Sequence, residues 1–371
     1  MPIYRLPEDP RVSNDVLPSN RAACMPRQPE MRMDRRQVQG DQSFKTRKTR
    51  RLLLRAYGAA ALLGLLPLAA LAAFPEKPLR IIVPFTAGGA TDVAGRILAE
   101  ELGKTLGGSA FVENRDGAAG VIGVQAAAKA PPDGYTLIIA GNSLYTSHKT
   151  LYPNLPYDPQ KDFEPVARIS AGSHIIVVKP GSPIKDVKDL IRTALAKPGA
   201  ITYGSGGKGT SVHLAAELFQ VQSGTKLMHV PYRGTSLAVS GLMAGDTDLM
   251  FDTTASAFPR IKAGQLRALG ITSATRATDL PDVPTVAEQG LPKYEALFWL
   301  GLYAPRGTPP DVLRTLDEAV RKVLAQDNVK KKLGDLGMTA YYADRAQLAR
   351  QVAQETQEWA DVIKKAGVVF E

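Results

Sequence analysis

The sequence predicts an α/β protein of two lobes, each a mainly parallel sheet flanked by helices, and three observations lead to this. Apolar runs of strand length alternate with amphipathic helical stretches, which is typical of parallel sheets. The chain of 371 residues exceeds the usual single-domain size, and its 44% hydrophobic content is enough for two cores. The motif VPF at 83–85, shortly before Gly88, recurs as VPY at 230–232, shortly before Gly234. Unless the repeat arose by chance, two similar lobes face each other across a cleft.

The beginning of the chain shows neither helical periodicity nor helix-capping signals. Met25, Met31 and Met33 offer later starting points for translation. Residues 1–45 are therefore interpreted as a disordered extension or as a mis-assigned start.

Residues 46–72 have the features of a cleaved export signal. The basic stretch TRKTRR at 46–51 precedes an uncharged apolar run from Ala56 to Ala73, and the small-residue pattern ALA occupies 70–72. Cleavage near Ala72 would place the protein in the periplasm. A membrane anchor is the alternative, although anchors normally need about 20 apolar residues. The run TRRLLLR at 49–55 leaves both the general and the twin-arginine export routes open.

The elements of the exported part follow in chain order. The strand candidates are LRIIVPF, YTLIIAG, HIIVVKP, ITYGS, KLMHVPY, DLMFD, LRALGIT and LFWLGLYAP. Between them lie helix candidates, among them DVAGRILAEEL, VKDLIRTALA, SVHLAAELFQ and PDVLRTLDEAVRKVLA. Two Pro-rich stretches are predicted to be long surface connections, YPNLPYDPQKDFEP and LPDVPTVAEQGLP.

Charge and cysteine content argue against several functional classes. Residues 1–72 hold 13 of the 46 Lys and Arg and 6 of the 36 Asp and Glu, so only +3 of the +10 net charge belongs to the rest. A nearly balanced folded part does not favour a nucleic-acid partner. The only cysteine, Cys24, lies before the export signal. The exported chain therefore contains no disulfide, thiol nucleophile or cysteine-ligated metal.

Two glycine corners are the candidate ligand site. FTAGGATD at 85–92 and GSGGKGTS at 204–211 each join the end of a strand to the start of a helix. A helix N-terminus carries unpaired N–H groups and attracts a carboxylate, and glycine lets the ligand approach the backbone closely. Thr91, Thr210 and Ser211 add hydroxyl groups. The alternative is that both loops only turn the chain and cap helices.

A nucleotide-binding enzyme is the second hypothesis. Gly204, Gly206 and Gly209 have the G-x-G-x-x-G spacing, which would make the chain a Rossmann-type oxidoreductase. The next strand, however, ends without an acidic residue to hold a ribose, although Arg233 suits a phosphorylated one. The phosphate-loop pattern is also incomplete, because Gly209 rather than Ser or Thr follows Lys208.

Other catalytic patterns are missing from the sequence. The four histidines, His148, His174, His213 and His229, have no metal-binding spacing, and no G-x-S-x-G elbow occurs. They are interpreted as packing or cleft residues. Asp252 is interpreted as a helix cap, or else as an acceptor for a ligand amine or hydroxyl. The sequence thus predicts no enzyme activity, no metal and no cofactor.

Many motifs together resemble one known family, the tripartite tricarboxylate transporter substrate-binding receptors, or Bug family. The resemblance runs from about Phe74 to the C-terminus. It is carried by PEKPLRIIVPFTAGGATDVAGRILAEEL, VENRDGAAGVIG, PPDGYTLIIAG, LPYDPQKDFEPVA, YGSGGKGTSVHLAAELF, HVPYRG, LMFDT, IKAGQLRALGIT and LPDVPTVAEQGLP.

The resemblance implies a periplasmic solute-binding protein of the type II, Venus-flytrap kind. Lobe 1 would comprise 73–175 and 299–371 and lobe 2 would comprise 176–298, with the chain crossing near Ile176 and Trp299. The protein would be a monomer that captures a small organic acid and delivers it to membrane transporter subunits. A sensor that presents its ligand to a signalling partner is an alternative.

The resemblance also implies where the acid binds. The ligand carboxylate would lie against the first corner, with the second corner opposite. Lys208, the one cation inside the second corner, is the candidate partner for a second carboxylate, with a solvated loop lysine as the alternative. The candidate ligand-binding residues are Phe85, Thr86, Ala87, Gly88, Gly89, Asp92, Asn142, Ser143, Ser205, Lys208, Gly209, Thr210 and Asp252.

Overall fold

A computed structural model describes residues 74–368 of the chain. The predicted extension at 1–45, the predicted export signal at 46–72 and Cys24 lie outside the described residues.

Strands and helices alternate through the described part. The strands are β1 Leu79–Val83, β2 Ala110–Asn114, β3 Thr136–Gly141, β4 Phe163–Val178, β5 Thr202–Ser205, β6 Met228–Pro231, β7 Leu249–Thr253, β8 Arg267–Ile271, β9 Leu297–Pro305 and β10 Met338–Ala343. The helices are α1 Ala90–Thr105, α2 Val121–Ala128, α3 Asn142–Thr146, α4 His148–Leu151, α5 Val187–Ala196, α6 Ser211–Ser223, α7 Thr235–Ala244, α8 Thr254–Lys262, α9 Pro310–Ala325, α10 Asp327–Gly334 and α11 Arg345–Ala366. A 3₁₀ turn, Ala118–Gly120, precedes α2.

The named strand and helix candidates are confirmed, and each contains an element of the predicted type. Two strands were not predicted, β2 and β10. The sequence of β2 is AFVEN, and its Phe111 is half exposed. Edge strands of this kind lack a buried apolar run, which is the pattern that identified the central strands.

The strands form mixed sheets. In the first, the order is β2-β1-β3-β9-β4, where β1 is parallel to β2 and β3, and β9 is antiparallel to β3 and β4. In the second, β5 is parallel to β6 and β7, and β4 is antiparallel to β7 and β8. Within each group β1–β3 and β5–β7, the paired strands are parallel as predicted, and β4 and β9 add the antiparallel pairs.

The long strand β4 runs through both sheets. Its first part, up to Ser173, pairs with β9, and its second part, from His174, pairs with β7 and β8. The prediction that DFEP ends a surface connection was wrong at Phe163, because β4 already begins there. Pro165 is tolerated in the strand because the pairing with β9 shifts register between Pro165 and Ala167, and a proline needs no ladder N–H at such a bulge.

The two largest clusters of buried apolar residues define two lobes. The core of lobe 1 contains buried residues on both sides of the lobe 2 segment, including Ile81, Leu98, Leu137, Leu302 and Leu316. The core of lobe 2 lies between Ile175 and Ala296 and includes Tyr203, Phe219, Phe251 and Tyr294. Each such side chain contributes roughly 1.5–3 kcal/mol of transfer free energy when fully buried. The lobe limits at residues 176 and 299 stay predictions.

The last helix, α11, contacts both lobes. Its buried Glu355 accepts hydrogen bonds from the Trp299 indole N–H at 2.8 and 2.9 Å. One turn later, Trp359 and Ile363 pack against Leu214 of α6 in lobe 2. The helix therefore adds a third connection between the lobes. Within residues 74–368, no helix is both long and apolar enough to cross a membrane.

Candidate functional site

A small cavity lies between the lobes, and its volume is about 50 Å³. Residues of both lobes line it. Those of lobe 1 are Phe85, Thr86, Gly89, Ala90, Thr91, Gly141, Ser143, Phe298 and Leu300. Those of lobe 2 are Thr210, Ser211, Val212, Thr235 and Thr253.

Five helices, α1, α3, α6, α7 and α8, begin at this cavity. Each contributes a lining residue from its first turn or from the position just before it: Ala90, Ser143, Ser211, Thr235 and Thr253. The strands end where these helices start, so the parallel parts of both sheets direct their helix N-termini to the same place. The arrangement follows from two lobes of the same α/β kind facing each other.

The helix ends make the cavity favourable for an anion. Gly89, Gly141, Gly234 and Thr253 precede α1, α3, α7 and α8. The three glycines have no side chain to cap a helix, and the Thr253 hydroxyl makes no capping hydrogen bond. A helix N-terminus carries about half a unit of positive charge on its first N–H groups. Among the described residues that line the cavity, none has a charged side chain. The positive potential therefore comes from the backbone.

The first corner is held from behind by Asp92. Its carboxylate accepts hydrogen bonds from the Gly88 N–H at 2.9 Å, from Arg96 at 2.9 and 3.1 Å and from Asn114 at 2.8 Å. Gly88 has φ +87°, a conformation that glycine adopts without strain. Burial alone would raise the pKa of Asp92, but the bonds from Arg96, Gly88 and Asn114 lower it below its ordinary value. Asp92 is thus an ionised residue that fixes the corner, and it does not line the cavity.

The second corner is fixed by neutral histidines. The Ser205 hydroxyl lies 2.6 Å from His229 Nε2, and the Gly209 N–H donates to His213 Nδ1 at 3.3 Å. Burial lowers the pKa of His229 to about 4 and also lowers that of His213. Both rings are therefore uncharged at neutral pH. Thr210 caps α6, since its hydroxyl accepts from the His213 N–H at 3.4 Å.

Two glycines of this corner pack closely against lobe 1. A Cβ at Gly207 would lie 3.1 Å from Ala119 Cβ, and one at Gly209 would lie 3.1 Å from Leu151. Both neighbours belong to lobe 1. Of the three glycines with the dinucleotide-like spacing, only Gly209 therefore allows the lobes to approach, since a Cβ at Gly204 or Gly206 would meet residues of lobe 2.

Thr253 is the one cavity residue whose hydroxyl is both buried and unsatisfied within the described part of the chain. It is 6% exposed, and its Oγ1 has no hydrogen-bond partner among those residues. Unpartnered buried hydroxyls are costly and need an explanation. The neighbouring Asp252 is fully buried, and burial raises its pKa to about 7. Asp252 accepts from the Thr253 N–H at 2.8 Å and lies behind the cavity.

A larger pocket of about 580 Å³ adjoins the small cavity. Phe85 and Thr86 line both spaces. We call the small space the inner cavity and the large one the outer pocket. The outer pocket is lined further by Asp116, Gly117, Ala118, Ala119, Gly120, Ile122, Gly206, Pro231, Tyr232, Arg233 and Gly234.

The predicted site residues divide into two groups. Five line the inner cavity, namely Phe85, Thr86, Gly89, Ser143 and Thr210. The others lie behind or beside it, namely Ala87, Gly88, Asp92, Asn142, Ser205, Lys208, Gly209 and Asp252. Lys208 is exposed and lines neither space. Its carbonyl oxygen accepts a hydrogen bond from the Tyr152 hydroxyl at 2.8 Å.

The sequence did not reveal the cavity residues at the starts of α7 and α8, nor the apolar residues of β9 that line the cavity. Thr235 and Thr253 come directly before or at the start of a helix, and this position is the signal that would have found them. Phe298 and Leu300 lie on β9, whose sequence reads as a buried strand. Its pattern does not indicate which of its residues face a cavity.

The two-lobed α/β fold with a cavity between the lobes is that of periplasmic binding proteins. The sequence model described as "Tripartite tricarboxylate transporter family receptor" matches residues 94–368. The chain belongs to this family and is a solute-binding protein of the Bug type. It is 39% identical to the "UPF0065 protein in tcbD-tcbE intergenic region" of a Pseudomonas species over 292 residues, which are 78% of this chain and 87% of that protein.

Solved structures give the same result. The periplasmic binding protein BugD is similar with a TM-score of 0.77 and 33% identity, covering 80% of this chain and 100% of that one. The R. palustris protein Rpa4515 with adipate has a TM-score of 0.77 and 34% identity, covering 80% and 99%. MatC from Rhodopseudomonas palustris with bound malate has a TM-score of 0.75 and 33% identity, covering 78% and 100%.

Proposed function

We propose that this protein captures a small organic acid between its lobes and delivers it to a tripartite tricarboxylate-type transporter in the membrane. The observation that carries the proposal is the inner cavity, where the N-termini of five helices meet and where none of the described lining residues is charged. Such a site suits one carboxylate group. The similarity to structures that hold adipate and malate supports the same ligand class.

The roles of the residues follow from their positions. Ala90 and Thr91 offer backbone N–H groups of α1, and the Thr253 hydroxyl is free to donate a hydrogen bond to a carboxylate oxygen. Phe298 and Leu300 exclude water from one side, which strengthens hydrogen bonds to the acid. Asp92 holds the first corner in place.

A thermal-shift panel tests the proposal. Mono- and dicarboxylates are compared with their uncharged primary amides at equal concentration. At 100 times its dissociation constant, a ligand stabilises the fold by about 2.7 kcal/mol. We expect at least one acid to raise the melting temperature and its amide to leave it unchanged. A panel in which amides act as strongly as acids, or in which no acid acts, would contradict carboxylate capture.

Delivery to a membrane transporter requires export, and we propose that the protein works in the periplasm. The support is the export signal predicted at 46–72, together with the similarity to a periplasmic binding protein. N-terminal sequencing of the exported protein is expected to find a first residue at or near Ala73. A chain that retains residues 52–66 would instead indicate an anchor.

A further inference from the structure

We infer that the outer pocket receives the second carboxylate of a dicarboxylate and that Arg233 is its partner. This inference rests on the proposed function, because it assumes that one carboxylate of the ligand occupies the inner cavity. It adds to that function a residue that selects a diacid over a monoacid.

The volume of the inner cavity limits what it holds. A cavity needs about 10–15 Å³ to hold one water molecule, so about 50 Å³ accommodates only a few non-hydrogen atoms. A carboxylate group fills most of that space. Phe85 and Thr86 line both spaces, so the outer pocket adjoins the inner cavity at these two residues. In the inferred arrangement, the remaining carbon chain of a longer acid extends past them into the outer pocket.

Arg233 is the one basic side chain among the described residues that line either space. Its guanidinium makes no hydrogen bond or ion pair with any residue in the described range 74–368. Arginine binds a carboxylate through two parallel N–H groups, which gives both strength and direction. A carboxylate that reaches the outer pocket thus meets a charged group that is not already engaged within the described chain.

The backbone around Arg233 is fixed on both sides. The Tyr232 N–H donates to the Ser205 carbonyl at 2.9 Å, and the Gly234 N–H donates to the Gly206 carbonyl at 3.2 Å. A Cβ at Gly234 would lie 2.5 Å from Thr86 Oγ1 of lobe 1. Arg233 consequently lies on lobe 2 beside the point where the lobes touch, and it is an exposed residue that lines the outer pocket there.

Asp116 lines the outer pocket from lobe 1 and is its only acidic residue within the described chain. A second carboxylate would be repelled by Asp116 and attracted by Arg233. Removing the charge of Asp116 and removing that of Arg233 should therefore have opposite effects on the affinity for a diacid. A neutral ligand tail would be insensitive to both.

Calorimetry at fixed salt tests the inference with succinate, glutarate and adipate and with the monocarboxylates of equal carbon number. We expect Arg233→Gln to lower the affinity for the tightest-binding diacid more than tenfold, about 1.4 kcal/mol, and to change the affinity for its matched monoacid less than twofold. Asp116→Asn should raise the affinity for the diacid by up to about fivefold, which is the effect of one exposed like charge. Lys226→Gln, which removes an exposed charge from lobe 2 outside both spaces, should change neither ligand.

The outcomes separate the inference from the proposed function. Equal loss of diacid and monoacid in Arg233→Gln, or no loss of either, overturns the role of Arg233 while acid capture stands. A selective loss of diacid in Lys208→Met but not in Arg233→Gln would place the second carboxylate at Lys208 instead. If the wild-type protein binds none of the acids, the proposed function fails and the inference fails with it.

Discussion

The buried hydroxyl of Thr253 is a feature that ligand binding explains and that stability of the fold does not. It is buried, it lines the inner cavity and it has no partner among the described residues. A residue selected only for stability would have its hydroxyl paired or replaced by a methyl group. We interpret the unpaired hydroxyl as one that a ligand satisfies.

Thr253→Val keeps the shape of the side chain and removes the hydroxyl. We expect the free energy of unfolding without ligand to stay equal or to rise slightly, because an unsatisfied buried group is lost. The affinity for a carboxylate should fall about three- to tenfold, equivalent to one hydrogen bond of about 0.5–1.5 kcal/mol. Chemical denaturation and calorimetry measure the two effects.

Thr272→Val is the matched control for this prediction. Thr272 is also fully buried, but its hydroxyl accepts from the His174 N–H at 2.8 Å and lies 2.6 Å from the Ala296 carbonyl. The variant should lose about 1–3 kcal/mol of stability and keep its ligand affinity. If both variants lose stability and neither loses affinity, the Thr253 hydroxyl has only a structural role.

Individual residues of the site were only partly predictable from the sequence. The two glycine corners were found because glycines between a strand and a helix mark a close backbone approach. Whether a given corner residue faces the cavity or supports it from behind depends on side-chain direction, as Asp92 and Ser205 show. Thr253 was missed although its neighbour Asp252 was chosen, because nothing in LMFDT distinguishes the side chain that points inward.

At the scale of elements, the loop between β6 and α7 meets the loop between β1 and α1. Gly234 has φ +115°, and a Cβ there would lie 2.5 Å from Thr86 Oγ1 of the other lobe. Beside it, the Ser236 hydroxyl donates to the Ala87 carbonyl at 3.3 Å. These two loops are thus in direct contact, which is the arrangement of closed lobes.

Gly234→Ala tests whether this contact is needed for binding. The added methyl group should prevent full closure and weaken carboxylate binding at least tenfold, about 1.4 kcal/mol. Calorimetry gives the affinity, and small-angle scattering with and without ligand reports the closure. Gly264→Ala is the control, since Gly264 also has positive φ but no atom of the described chain would lie within 4 Å of its Cβ. It should cost about 1 kcal/mol of stability and leave affinity unchanged. Unchanged affinity in Gly234→Ala would mean that ligand binding does not require this contact.

The packing of α11 on β9 gives a prediction about pH. Glu355 is 3% exposed and accepts from Trp299, and burial raises its pKa from an ordinary 4.5 to about 7. A carboxyl whose folded pKa is raised stabilises the fold fully below pH 4.5, and this contribution is lost as pH rises through about 7. The slope is at most about 1.4 kcal/mol per pH unit.

Glu355→Gln removes the titration while keeping a hydrogen-bond acceptor for Trp299. We expect the variant to gain stability relative to the wild type between pH 5 and pH 8, by about 2 kcal/mol. Denaturation at both pH values measures this difference, and a constant difference would contradict it. The comparison between wild type and variant also cancels the contributions of His148 and His174 to the pH dependence of stability. Burial lowers the pKa values of both to about 4, so their effect on stability has the opposite sign.

Elements were more predictable than residues, with one informative failure. Central strands and amphipathic helices were found because burial on one or both faces leaves a periodic pattern. The start of β4, Phe163 to Pro165, was assigned to a surface connection because proline is typical of loops. Residues 166–173 were not predicted as a strand, and the strands that pair with this part of β4, β9 and β10, are distant in sequence. Long-range pairing of this kind leaves no local trace in the chain.

At the scale of the whole molecule, the site exists only because two lobes face each other. Neither lobe alone surrounds the inner cavity, which takes α1 and α3 from lobe 1 and α6, α7 and α8 from lobe 2. The repeat of VPF and VPY indicated two similar lobes, and the glycine corners indicated that anions bind at helix ends. How many helix ends meet could not be read from the sequence, because it depends on how the lobes pack together.

The central claim is that a ligand carboxylate is bound at the converging helix ends of the inner cavity. A crystal structure of the protein grown with adipate or malate tests this most directly. The account predicts one carboxylate group inside the cavity, with its oxygens about 3 Å from the backbone N–H groups of Ala90 or Thr91 and from Thr253 Oγ1. Density for the acid outside the cavity, or a cavity that holds the carbon chain while both carboxylates point away from the helix ends, would contradict it.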